Sequence, residues 1–130
     1  MAKAKILNPD ISIEACAYRQ VLDIISNKWT ALVIYALEDG TKRYAEIRRR
    51  IAGITQKMLT QTLRQLERDG LVNRDVHEAA SPFVTYTLTP LGQTMTPHLR
   101  LFKQWATDHY ASVKQARREY DRTKDACFPN

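Results

Sequence analysis

No stretch of this sequence approaches the roughly 20 uninterrupted apolar residues that a membrane-spanning helix requires. The opening, Met1-Ala-Lys-Ala-Lys followed by Ile6-Leu7-Asn8-Pro9-Asp10, holds no apolar signal-peptide region, and the chain is expected to remain in the cytoplasm, away from membranes. Cysteine is nearly missing. Cys16 and Cys127 stand near opposite ends of the 130 residues, which gives neither a disulfide framework nor a metal-binding spacing. Both are expected to be thiols in a reducing cytosol. Histidine is equally sparse: His77 falls in a predicted hairpin, while His98 and His109 lie on one predicted helix. Their separation along that helix is about 16 Å, too far for a shared metal. The sequence has no Gly-rich phosphate loop, no nucleophile elbow and no His-Glu-x-x-His pattern, and its carboxylates are scattered beside basic residues. No catalytic residue, metal or cofactor is expected.

The middle of the chain is short of acid. Between Lys42 and Arg74 stand Lys42, Arg43, Arg48, Arg49, Arg50, Lys57, Arg64, Arg68 and Arg74 against Glu46, Glu67 and Asp69, so this quarter of the sequence accounts for the whole formal charge of +6. Clustered cations are either a solvated face or the electrostatic footprint of a polyanion binder. Charge alone does not decide between them; the elements that carry it do.

The length suits one domain: a core over 15–106, an N-terminal arm at 1–14, and a C-terminal helix with a charged tail at 107–130. The spacing predicts a first helix over about 13–26, with Val21, Leu22, Ile24 and Ile25 inward and Asn27 as breaker or cap. A second helix is expected over 28–38, with Trp29, Leu32, Val33, Ala36 and Leu37 on its apolar face. A third, over about 44–51, buries Tyr44, Ile47 and Ile51, and Ala52-Gly53-Ile54 turns the chain. Thr55 is a good N-cap for the next helix, over 56–69. There Leu59, Leu63 and Leu66, with Met58 beside them, oppose Lys57, Thr60, Gln61, Arg64 and Arg68. Gly70 suits the position just past a helix end, with Leu71 folding back. Beyond it the period changes to about two over 72–76 and again over 83–88, which predicts an antiparallel hairpin with its tip at 77–82. Thr89-Pro90 starts a long last helix, capped by a hydroxyl and led by proline. Its broad apolar stripe, Leu91, Met95, Leu99, Phe102, Trp105, Tyr110 and Val113, calls for a partner, and the charged remainder, Lys114 to Asn130, is expected to fray at its end.

Two helices joined through a short turn, followed at once by a hairpin, form a winged helix-turn-helix: mainly α with a small antiparallel β-hairpin (α+β). The outward stripe of the second of these helices has the chemistry of groove reading. Arg64 suits guanine and Gln61 adenine; Gln56 and Lys57 bring polar side chains and helix N-terminal amides; Thr60 can donate to a phosphate or pack on a thymine methyl. Lys42, Arg43, Arg48, Arg49, Arg50 and Thr55 are expected on the DNA backbone. Arg68 and Arg74 serve either a phosphate or an internal ion pair, Arg74 with Glu67 or Asp69. The competing reading is a winged helix that contacts only protein, but such a module does not need a basic recognition stripe.

At these residues the sequence resembles the HxlR-type winged-helix transcriptional regulators, relatives of the MarR-like group. The resemblance spans about 16–105. It rests on Cys16, on Asn27-Lys28-Trp29-Thr30, on Gly40-Thr41-Lys42-Arg43-Tyr44-Ala45-Glu46-Ile47, on the run from Ile54 to Val72, and on Tyr86-Thr87-Leu88-Thr89-Pro90-Leu91-Gly92. It departs from the family at Ala17, where proline commonly follows the cysteine, and at Ser81-Pro82, where the wing tip often has two prolines. The resemblance implies a homodimer held by terminal dimerisation helices, with Leu99, Phe102 and Trp105 expected in the interface, on an operator in double-stranded DNA; the sequence reading expects a repressor. Two-fold symmetry then gives a pseudo-palindrome with half-sites about 34 Å apart. Some members sense oxidants or electrophiles through the cysteine that Cys16 matches. A thiol near a helix N-terminus can gain reactivity, and Arg19 lies one turn on. The alternatives are a small half-buried cysteine without chemistry and an effector lodged between dimer helices.

Overall fold

The computed structural model describes residues 16–127. Along them run α1 (Ala17–Ile25), α2 (Lys28–Leu37), β1 (Lys42–Arg43), α3 (Tyr44–Arg50), α4 (Gln56–Arg68), β2 (Val72–His77), β3 (Phe83–Leu88) and α5 (Pro90–Cys127). The expected arm at 1–14, the start of the first helix at 13–15 and the side chain of Cys127 lie outside the described residues. The chain forms two compact units that part after Thr94.

In the first unit the helices form where apolar spacing and caps agree. Asn27 caps α2 by accepting the Trp29 amide at 3.0 Å. The inward face of α2 is Val33, Ile34, Ala36 and Leu37, with Thr30 also buried. This corrects the expected stripe: Leu32 is 42% exposed, and Ile34, not assigned inward, is fully buried. The face is rotated because α3, α4 and β3 all pack against α2 and together cover a wider arc than one stripe. Ile47, Leu59, Leu63 and Leu66 complete this core at no more than 2% exposure. Each such side chain contributes about 1.5–3 kcal/mol by leaving water. In α1, by contrast, no residue is buried, and Val21 and Leu22 stay exposed. The inward face expected there is only partly covered, by Ile24 and Ile25.

Ile51 and Ile54, both 6% exposed, pin the ends of the turn between α3 and α4. Helix α4 ends as its glycine requires. Gly70 has φ of +76°, a conformation that costs other residues energy. Its amide donates to Glu67 O at 3.1 Å and the Leu71 amide to Leu66 O at 2.9 Å, the paired bonds of a Schellman end.

The sheet has three strands in the order β1-β3-β2, all antiparallel. The hairpin was expected; β1 was not. Lys42 pairs with Tyr86 and Arg43 with Thr85, so the hairpin is stitched to the segment that begins α3. Behind it Thr89 ties the next corner. Its hydroxyl donates to Gly70 O at 2.6 Å and accepts the Gly92 amide at 2.9 Å, and its own amide donates to Leu71 O at 3.0 Å.

The second unit, from Met95 onward, is the body of α5. It stays helical through Cys127; the very end of the chain, where fraying was expected, lies outside the described residues. Side-chain pairs one turn apart support it, Gln104 to Asp108 and Gln115 to Glu119, both at 2.9 Å. Leu101, Phe102, Trp105, Tyr110 and Tyr120 are each at least half exposed. No helix among the described residues is long and apolar enough to cross a membrane.

Candidate nucleic-acid interface

The outward face of α4 is held by what lies behind it. Leu59, Leu63 and Leu66 anchor one side in the core. The Thr55 hydroxyl accepts the Met58 amide at 3.1 Å and closes the first turn. With those positions fixed, Gln56, Lys57, Thr60, Gln61 and Arg64 come together around a single open concavity of about 510 Å³. All five were named from sequence as base readers, and the fold gathers them without adding a sixth residue to the lining. Four of them are exposed and Thr60 is half-buried.

Thr60 is half-buried because of a residue that sequence reading assigned to the core alone. The Tyr44 hydroxyl donates to Gln56 O at 3.0 Å and lies 3.0 Å from Thr60 Oγ1. Tyr44 is thus a clamp from the start of α3 onto the first turn of α4. An aromatic at helical spacing reads as packing; nothing local signals that its hydroxyl reaches 16 residues ahead.

The basic residues expected on the DNA backbone divide into two sets. Arg48 and Arg49, in the last turn of α3, are exposed with no side-chain partner among the described residues. Arg43 lays its guanidinium 3.9 Å from the centre of the Phe83 ring, while the Glu46 carboxylate accepts the Arg43 backbone amide at 2.9 Å. At the tip end of the hairpin His77 stacks on Phe83 with centroids 4.6 Å apart and lies 2.8 Å from Thr85 Oγ1. Lys42 and Arg50, however, converge on Asp39. Lys42 Nζ is 2.8 Å and Arg50 Nη1 3.0 Å from Asp39 Oδ1, and Arg50 also donates to Ala36 O. The Lys42 hydrogen bond, then that of Arg50, holds the Asp39 carboxyl below the ordinary carboxylate range.

Arg74 forms no ion pair with Glu67 or Asp69 among the described residues. It lines a hollow of about 380 Å³ with Glu67, Tyr44, Thr60, Arg64 and Tyr86. Arg68 sits apart from the readers, lining a different hollow with Gln20, Asp23, Gln65 and Asp69. Cys16 is a half-buried free thiol at the N-cap of α1, where its side chain makes no capping bond. Among the described residues no group of three or more His, Cys, Asp or Glu could hold a metal ion.

This geometry has relatives. The family described as HxlR-like helix-turn-helix matches residues 24–114. The uncharacterized HTH-type transcriptional regulator YdeP of Bacillus subtilis is 40% identical over 112 residues, 84% of this chain and 88% of YdeP. Among solved structures, the transcriptional regulator ytfH from Salmonella typhimurium aligns with a TM-score of 0.74 at 35% identity, over 84% of this chain and 97% of that one. The redox regulator HypR in its reduced form gives a TM-score of 0.71 at 39% identity, over 75% of this chain and 97% of that one. With a helix-turn-helix, a wing and a basic outward face on one scaffold, the chain belongs to the HxlR-like helix-turn-helix family and is a DNA-binding transcriptional regulator.

Proposed function

We propose that two copies of this chain bind a pseudo-palindromic operator, each placing α4 in a major groove of double-stranded DNA. The observation that carries this reading is the single concavity formed by Gln56, Lys57, Thr60, Gln61 and Arg64, held on a helix whose opposite stripe is locked in the core. Arg64 and Gln61 are suited to bidentate base contacts. Arg48, Arg49 and Arg43, all exposed on the preceding segment, suit phosphates, which position the protein without reading sequence. Thr55, Arg68 and Arg74, which do not line the concavity, are assigned to the DNA backbone. The second copy covers the exposed apolar residues of α5, with Phe102 and Trp105 central and Leu99 beside them. A DNA-reading unit joined to a self-association helix is suited to repression by occluding the operator.

The test is duplex affinity measured against salt and against sequence. Arg49→Ala should weaken all sequences alike and reduce the slope of log K on log salt by about 0.9, whereas Arg64→Ala should relax sequence preference. A flat salt dependence would support the protein-contact module in place of a DNA reader.

A second element of the proposal concerns Cys16. It is a free thiol at a helix start, and the chain is similar to a protein named a redox regulator. We assign it the oxidant-responsive role, with DNA release following its modification. Diamide should release operator DNA from wild type and not from Cys16→Ser; equal release from both would point to an effector bound elsewhere.

A further inference from the structure

Three oxygen atoms meet where α3 begins and α4 completes its first turn. Tyr44 Oη lies 3.0 Å from Gln56 O and 3.0 Å from Thr60 Oγ1. Proton accounting permits one arrangement. A peptide carbonyl has no proton to give, so the phenol must donate to Gln56. A phenol carries a single proton, so in the second bond Thr60 donates and Tyr44 accepts. The hydroxyl proton of Thr60 therefore points into the protein. Toward the concavity it shares with Gln56, Lys57, Gln61 and Arg64, Thr60 has only its methyl group and an acceptor lone pair to offer.

We propose that Tyr44 makes Thr60 an acceptor-only reader and so determines specificity at one base pair of each half-site. This rests on α4 being the groove-facing helix. In the major groove adenine N6 and cytosine N4 offer donors and thymine offers its methyl, all of which Thr60 can meet. Guanine offers N7 and O6, both acceptors. Acceptor against acceptor is repulsive, so guanine is selected against on the strand that Thr60 faces. The same accounting removes Thr60 from the phosphate contacts, since phosphate oxygens only accept. Tyr44 acts through Thr60, as a positioning residue.

The experiment is binding-site selection from a random duplex library, run with the full chain as wild type, Thr60→Val, Thr60→Ser and Tyr44→Phe. The base pair read by Thr60 is the column that changes in Thr60→Val. In wild type, guanine should be depleted there by about tenfold, the scale of discrimination a well-placed polar contact gives. Tyr44→Phe frees the Thr60 proton and should admit guanine in that column while leaving the others unchanged. Thr60→Ser keeps the bond to Tyr44, so guanine stays excluded while preference for thymine falls; this arm holds if Tyr44→Phe folds poorly. Guanine tolerated in wild type, a Tyr44→Phe preference identical to wild type, or one blurred evenly over all columns would each overturn the proposal. Failure of the underlying reading looks different: wild type would enrich no sequence at all, and both would be lost.

Discussion

Asp39 changes how the basic face should be counted. Lys42 and Arg50 both bond to it, so two of the cations between Lys42 and Arg74 are already partnered. Its carboxyl is held below the usual range, so the tie is intact above the ordinary carboxylate pKa and is lost only as pH falls through the lowered value. Between about pH 5 and 8 it should therefore contribute a constant term. Asp39→Asn removes the charge and frees both cations. Affinity for random-sequence duplex should rise, and the salt slope should steepen by about one to two, measured by fluorescence anisotropy. An unchanged slope would mean that neither cation reaches a phosphate once released. The charges were visible in the sequence, but their pairing was not: Asp39 stands outside the basic run and Arg50 is eleven residues away. The same limit applied to Tyr44. Its ring could be predicted from helical spacing, whereas its hydroxyl's role depends on where another helix passes.

At the scale of elements, what could be read from the sequence was what is written locally. Thr55, Gly70, Thr89 and Pro90 marked their helix ends because caps and left-handed turns are decided by adjacent residues. Strand β1 was missed because two residues carry no period, and its pairing with β3 is specified by the partner. The stripe on α2 was misplaced because burial follows how many elements cover a helix. One corner gives a sharp test. A Cβ on Gly92 would stand 2.1 Å from Leu71 O, which already accepts the Thr89 amide. Gly92→Ala must push apart the end of α4 and the start of α5, at a cost of about 1–3 kcal/mol. Urea denaturation monitored by circular dichroism should show the loss, and a variant as stable as wild type would mean that this corner yields freely.

For the whole molecule, the exposed apolar side chains of α5 leave a hydrophobic surface that a second copy should cover. Phe102 is 69% and Trp105 52% exposed. Phe102→Glu should turn the dimer into a monomer in sedimentation equilibrium. Operator affinity should then fall by at least about 100-fold, since the second half-site would no longer be held nearby. A dimer that persists would place the interface elsewhere. A regulator must also find its operator among a genome's many competing sites, and the ratio of specific to non-specific binding governs how much of it arrives. Here the bridge centred on Asp39 has a consequence beyond its own corner. By partnering two cations, it should lower affinity for right and wrong sequences by a common factor and leave their ratio to the side chains on the outward face of α4. One carboxylate should thereby shorten every stop along the DNA, so that the search quickens while the preferred sequence stays the same.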